Sequence, residues 1–177
     1  MQRYYPVIRV LSLVIFMFGL TMLVPLLLSW ATHDGAESAF DEAFLLTVGS
    51  GFGLWYATRK ETRDLTIRDG FLMVALVWTV LPVYAGLPLV IQLDASFTDA
   101  YFEAVSGLTT TCSTVLEGLD TLPVSINFWR CQLVWLGGMG LIVLAVAFAC
   151  ASLAAGLIVV LAVMYPEWSS LDLGPID

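Results

Sequence analysis

The stretch Ser96–Asp120, SFTDAYFEAVSGLTTTCSTVLEGLD, decides how the rest of the chain is to be read. It is too polar to span a bilayer and too short to form a domain. It lies between two long apolar segments, Gly70–Leu93 and Cys131–Pro166. Its first half predicts a short helix: Ser96 and Asp99 have the spacing of a capping box, and Phe97, Tyr101, Val105 and Leu108 recur at helical spacing. Its second half, Thr109, Thr110, Thr111, Cys112, Ser113 and Thr114, is a run of small polar residues that ends the helix. A half-helix followed by an extended polar strand, held between two membrane helices, is the layout of an ion-selective pore loop. In such a loop backbone carbonyls and threonine oxygens replace the hydration shell of a cation. The C-terminal end of the short helix carries about half a negative charge, which favours a cation beside it.

The surrounding composition fits a membrane setting. The chain has 177 residues, of which 59% are hydrophobic and 12% charged, with a mean hydropathy of +0.90. A soluble domain of this size needs more surface charge, so the reading is an integral membrane protein with one membrane domain. The net charge of −8 does not signal an acidic or basic partner. The acidic residues lie mainly in loops and tail, and four of the seven basic residues fall within Arg59–Arg68. No basic field exists for nucleic acid. Cys112, Cys131 and Cys150 are scattered and give neither a disulfide framework nor a CxxC pattern, and the single His33 excludes a histidine-rich metal site.

Val10–Thr32 is uncharged for 23 residues, enough for one spanning helix of roughly 20 residues. A cleaved signal peptide is the alternative, but no small-x-small cleavage site fits, so the helix is read as uncleaved, with a kink at Pro25. The loop His33–Glu42 is acidic, with Asp34, Glu37, Asp41 and Glu42. Ala43–Thr58 is a second, shorter apolar run. Its Gly49, Gly51 and Gly53 suit close approach of another helix. The basic loop Arg59–Asp69 is placed in the cytoplasm by the positive-inside rule, and Arg3 and Arg9, two crossings away, agree. Gly70–Leu93 is the third span, with Pro82 and Pro88 predicting a bend or an unwound outer end. The pore segment then dips in and returns to the same face. Non-helical backbone is tolerated at membrane depth only where it lines a cavity or is buried in protein. Ile126–Ala149 is the fourth span. Trp129 and Trp135 suit its outer interfacial region. Arg130 is either a snorkelling anchor or a partner for a pore-loop carboxylate. Gly137, Gly138 and Gly140 permit close packing against the pore helix or a kink. Cys131–Pro166 contains no charge in 36 residues, which as one helix reaches about 54 Å, beyond a hydrocarbon core of about 30 Å. Either a tilted or protruding helix or a break near Ser152–Gly156 accommodates it, before the acidic tail PEWSSLDLGPID.

FTDAYFEAVSGLTTT, followed by GLDTLP, INFWR and WLGGMG at Gly137–Gly140, resembles the Trk-type potassium uptake transporters, a superfamily that includes the Ktr and plant HKT proteins. The resemblance runs from about Tyr4 to about Ala147. It implies a repeated helix–pore-helix–helix unit, four of which surround one potassium path, and this chain holds one such unit. It also implies that Thr109, Thr110, Thr111, Cys112, Ser113 and Thr114 form a selectivity filter for K+, although the family's filter has glycine where this chain has Cys112. The family commonly works as a membrane dimer with a cytoplasmic nucleotide-binding regulatory ring.

The expected fold is all-α integral membrane: two N-terminal transmembrane helices followed by one helix–pore-loop–helix repeat. The expected divisions are a helix pair at residues 1–58, a cytoplasmic basic loop at 59–69, the repeat at 70–149, and a divergent apolar segment with acidic tail at 150–177. The expected function is potassium uptake across the cell (inner) membrane, with the N-terminus cytoplasmic, as a partial or truncated transporter chain. Its partners are the potassium ion, the lipid bilayer, further pore repeats or a homo-oligomer, and a cytoplasmic nucleotide-binding subunit. The alternative is a non-conducting membrane scaffold that retains the fold. An enzyme is not expected. Asp99 and Glu103 are paired carboxylates four residues apart, but no nucleophile, histidine or metal cluster accompanies them. Helix capping explains Asp99, and Glu103 is expected to hydrogen-bond within the pore-loop fold. Thiol chemistry at Cys112 is disfavoured because no histidine or lysine lies near it in sequence.

Overall fold

The computed structural model describes residues 5–59 and 66–164, so most of the basic loop and the acidic tail lie outside the described residues. Six α-helices follow one another: α1 Tyr5–Thr21, α2 Leu23–Thr32, α3 Glu37–Thr58, α4 Ile67–Leu93, α5 Phe97–Leu108 and α6 Val124–Met164, with a 3-10 turn at Leu119–Thr121. Every regular element among the described residues is helical, as expected from the sequence. Three helical stretches are long and apolar enough to cross a membrane: Tyr5–Thr32, Arg68–Leu93 and Val124–Leu161. The protein is thus a multi-pass membrane chain. Helix α4 begins before Gly70 because Asp69 caps it: its Oδ2 accepts from the Thr66 N–H at 2.9 Å and the Thr66 hydroxyl at 2.7 Å.

The chain divides into two compact units, Met1–Gly138 and Met139–Asp177. Described by itself, the second is an apolar continuation of α6, with large exposed side chains such as Leu153, Leu157, Ile158 and Val159. A helix apolar all round belongs in lipid or in a protein core. No break interrupts it near Ser152–Gly156; α6 is continuous to Met164.

The first unit is organised around Trp129, which the sequence places at the membrane interface and the structure buries completely. Phe18 of α1 and Phe40 of α3 pack on its ring at centroid distances of 5.8 and 6.2 Å, separations typical of attractive aromatic pairs. Trp135, by contrast, is exposed.

Pro25 lies in the first turn of α2, and Pro82 and Pro88 lie inside α4. Proline lacks an N–H and its ring crowds the carbonyl four residues back. At Pro25 the helix breaks at Met22, separating α1 from α2. The Thr21 carbonyl that Pro25 cannot satisfy accepts instead from Gln132 Nε2 of α6 at 2.9 Å. Pro82 and Pro88 leave α4 unbroken, so of the bend and the unwound outer end expected as alternatives, the unwound end does not occur. The Thr79 and Ala85 carbonyls, each three residues before a proline, accept from the Tyr101 hydroxyl at 3.2 Å and from Trp129 Nε1 at 2.9 Å. Side chains of α5 and α6 thereby satisfy carbonyls in these turns, which is what makes proline tolerable in a membrane helix.

Helices α1 and α3 cross at Gly51, where an added Cβ would lie 2.8 Å from the Phe16 nitrogen; at Gly49 and Gly53 it would meet nothing within 4 Å. Of that glycine run, Gly51 alone makes the close approach.

The loop between α2 and α3 is tied to the start of α6 by Asp34. Its carboxylate accepts from the Ser125 N–H at 2.8 Å, from the Ala36 N–H at 3.2 Å and from the Ser29 hydroxyl. It thus caps the N-terminus of α6 from outside that helix, where a negative charge also meets the helix dipole. Burial by itself raises the Asp34 pKa, but the hydrogen bonds from Ser29, Ser125 and Ala36 outweigh it and hold the carboxyl at about 2, below its ordinary 3.8. A pKa lower in the folded state contributes stability that is complete above about pH 4 and is lost as the pH falls through the folded value. Asp34→Asn is therefore expected to lower the melting temperature in detergent at neutral pH. Its deficit relative to the parent should shrink as the pH is lowered from about 4 towards 2. A deficit independent of pH would show that the carboxylate charge is not what holds the loop.

Candidate functional site

Helix α5 is the half-helix expected from the sequence. Ser96 caps it: its hydroxyl accepts from the Asp99 N–H at 3.2 Å and donates to Asp99 Oδ2 at 2.7 Å. The negative charge of Asp99 in the first turn suits the dipole. Of the expected stripe Phe97, Tyr101, Val105 and Leu108, only Leu108 belongs to the buried face. Ala100, Glu103, Ala104, Ser106, Gly107 and Leu108 are buried, whereas Phe97 is 60% exposed and stacks on Tyr101 at 6.0 Å. Small residues allow α5 to approach its neighbours closely, which large aromatic rings would prevent.

The helix ends in a tight turn. The N–H groups of Thr109 and Thr110 donate to Val105 O and Gly107 O, and those of Thr111 and Cys112 both reach Ser106 O at 3.0 and 3.4 Å. Thr110 and Cys112 adopt φ of +59° and +58°, the left-handed region that L side chains disfavour. Two such residues within three positions store backbone strain, which persists only where surrounding contacts hold it. Glycine, which the resemblance implies at position 112, would be unstrained there.

All six expected site residues, Thr109, Thr110, Thr111, Cys112, Ser113 and Thr114, lie together in this exposed non-helical loop. Two groups of α5 hold it from behind. The Ser106 hydroxyl donates to Ser113 O at 2.6 Å, and Glu103 Oε2 accepts from the Val115 N–H at 3.3 Å. The Ser113 carbonyl is therefore engaged towards α5. The other oxygen of Glu103 accepts from Arg130 Nε of α6 at 2.7 Å, with the second guanidinium nitrogen at 2.5 Å. This ion pair decides between the two roles that the sequence leaves open for Arg130. Beyond the loop, Asn127 Nδ2 donates to Leu119 O at 2.8 Å and anchors the returning chain to α6.

Gly137 sets how close α6 comes to the end of α5. An added Cβ would lie 1.8 Å from Leu108 O, and at Gly138 it would meet only the Thr110 methyl at 3.6 Å.

A family model described as TrkH, cation transport protein, matches residues 36–156. The chain is 48% identical over 143 residues to the Trk system potassium uptake protein TrkH of Halomonas elongata, covering 80% of this chain and 30% of that protein. It is 46% identical over 148 residues to the protein of the same name from Escherichia coli K12, covering 82% and 31%. The crystal structure of the potassium transporter TrkH from Vibrio parahaemolyticus superposes with a TM-score of 0.77 at 44% identity, covering 82% of this chain and 32% of that one. The chain thus spans about a third of the length of the relatives it matches.

Proposed function

The chain belongs to the TrkH family of cation transport proteins, and on that premise we propose that it supplies one filter segment of a potassium uptake transporter in the cell (inner) membrane. Thr109, Thr110, Thr111, Cys112, Ser113 and Thr114 form the segment, and K+ is the transported ion. The observation that carries this reading is the abrupt end of α5 at Leu108, followed by an exposed polar loop anchored from behind by Ser106 and Glu103. Such anchoring leaves the carbonyls of the other loop residues as the candidate cation ligands, since the hydroxyls of Thr109, Thr111 and Thr114 are engaged within the loop and α5. A filter needs a ring of such ligands, so further pore repeats or further copies of the chain complete the path. The length of the relatives favours further repeats. In this reading residues 70–149 are the helix–pore-loop–helix repeat, after the helix pair of residues 1–58. A cytoplasmic nucleotide-binding subunit regulates the assembly.

The test uses Cys112 in an assembly with the full set of repeats. At φ +58° a side chain costs on the order of 1–2 kcal/mol relative to glycine, and conduction requires near-balanced site energies. Cys112→Gly is expected to raise potassium transport or potassium-over-sodium selectivity with little change in expression, and Cys112→Phe to abolish transport. Rubidium uptake in cells lacking their own uptake systems measures both. If both variants transport like the parent, the segment is not a filter, and a non-conducting scaffold is the better reading.

The proposed topology places the N-terminus and residues 59–68 in the cytoplasm and residues 33–42 and 117–123 outside, from the asymmetry of Lys and Arg. Single cysteines introduced at the exposed Ser38 or Gly118 are expected to react with an impermeant maleimide added outside, and one at Thr62 to be spared. The reverse labelling pattern would invert the topology.

A further inference from the structure

Cys112 and Cys131 are separated by a turn, a loop and the start of α6, yet the fold brings them to one pocket. A cavity of about 180 Å³ lies between the end of α5, the loop and α6, and its walls include Glu103, Ser106, Cys112, Ser113, Arg130 and Cys131. Most polar groups there are already engaged. Glu103 is held by Arg130 and Val115, and the Ser106 hydroxyl by Ser113 O. The thiols are not so engaged: both cysteines are unbridged and exposed, and Cys112 Sγ makes only a 3.7 Å contact with Thr110 O. Cys150 belongs to the other compact unit.

We infer that Cys112 and Cys131 form a two-thiolate site for a soft, thiophilic metal ion that accepts linear two-coordination, the mercuric ion being the representative of the class. Thiolates select soft ions over the hard cations that carbonyl oxygens prefer. Among the described residues no group of three or more His, Cys, Asp and Glu could hold a metal, so a four-ligand zinc-type site is not formed. Metal–sulfur bonds of about 2.3 Å make a linear bridge about 4.6 Å long, the separation that the two sulfurs must reach across the cavity they both line. Binding of a divalent ion breaks two S–H bonds, forms two metal–sulfur bonds and releases two protons to solvent, with no change of oxidation state. The product is neutral, so it adds no net charge beside the Glu103–Arg130 pair, where an uncompensated charge would be costly. The bridge fastens the strained loop at Cys112 to α6 at the residue after Arg130. This site stands on its own and does not depend on whether the loop conducts.

The full chain in detergent, with Cys150→Ser so that the pocket thiols alone remain, is titrated with mercuric chloride while maleimide-reactive thiols and released protons are counted. One ion per chain is expected to protect both thiols and release two protons. Two-point attachment typically strengthens binding by 10²–10⁴. Cys112→Ser and Cys131→Ser are therefore each expected to weaken retention against a competing monothiol by about 100-fold or more. Methylmercury, with one free valence, should bind each thiol separately and gain nothing from the pair. Circular dichroism confirms that the serine variants stay folded. Two mercuric ions per chain, cross-linked chains, or single-cysteine variants that hold the ion as firmly as the pair would each overturn the site.

Discussion

Replacing Arg130 by leucine is expected to destabilise the chain by about 3–5 kcal/mol and to abolish ion uptake by the assembled transporter. Glu103 is only 4% exposed and Arg130 21%, so the pair is largely removed from solvent. The leucine variant leaves the Glu103 carboxylate buried with the Val115 N–H as its remaining partner. An uncompensated buried charge of this kind is the reason that breaking one side of a buried pair is so costly. Removing both charges is a different matter. In Glu103→Leu combined with Arg130→Leu no charge is stranded, and most of the stability is expected to return, because apolar replacement of a buried pair is often neutral. Uptake should stay lost, since Val115 now lacks the Glu103 acceptor and the loop loses one of its two anchors. Thermal unfolding in detergent and rubidium uptake separate these outcomes. A double variant that transports normally would show that the ion pair does not position the loop.

Gly137→Ala is expected to be the most damaging single-methyl change in the first compact unit. The added Cβ would lie 1.8 Å from Leu108 O and 2.7 Å from Leu108 Cα. Both are backbone atoms, so no side chain can rotate away. Overpacking typically costs about 1–3 kcal/mol, and this overlap places the change at or above that range. Leu108 is the last residue of α5, so the displacement passes directly into Thr109 and the loop. A sharp fall in uptake is expected with a smaller fall in melting temperature. Gly138→Ala is the control: its Cβ meets the Thr110 methyl at 3.6 Å, an ordinary contact, and near-parental behaviour is expected. Equal effects at the two positions would mean that helix propensity, rather than the approach to Leu108, explains the glycines.

Much of the fold is legible in the sequence because its signals are local. A long uncharged run must cross or be buried, since charge in lipid is costly. Ser96 three residues before Asp99 caps a helix by chain geometry alone, and the polar run after Leu108 cannot continue it on one apolar face. Local signals failed where a neighbour supplies the answer. Pro82 and Pro88 predict a bend or an unwound outer end, and the bonds from Tyr101 and Trp129 to the Thr79 and Ala85 carbonyls accompany a helix that does not unwind. Trp129 has the composition of an interface residue and the position of a core residue, because Phe18, Phe40 and Ala85 meet it from three helices.

The sequence by itself determined the helical membrane fold, the half-helix α5 and the six-residue polar loop that follows it, because spacing along one strand of chain suffices for each. Only the tertiary structure decided that Arg130 pairs with Glu103, that Asp34 caps α6 across 91 residues, and that Cys112 shares a cavity with Cys131. A carboxylate, a guanidinium or a thiol carries no mark of its partner in the sequence. The partner is set by how closely the helices approach, and here that closeness depends on small residues such as Gly51 and Gly137 whose effect appears only when the helices meet.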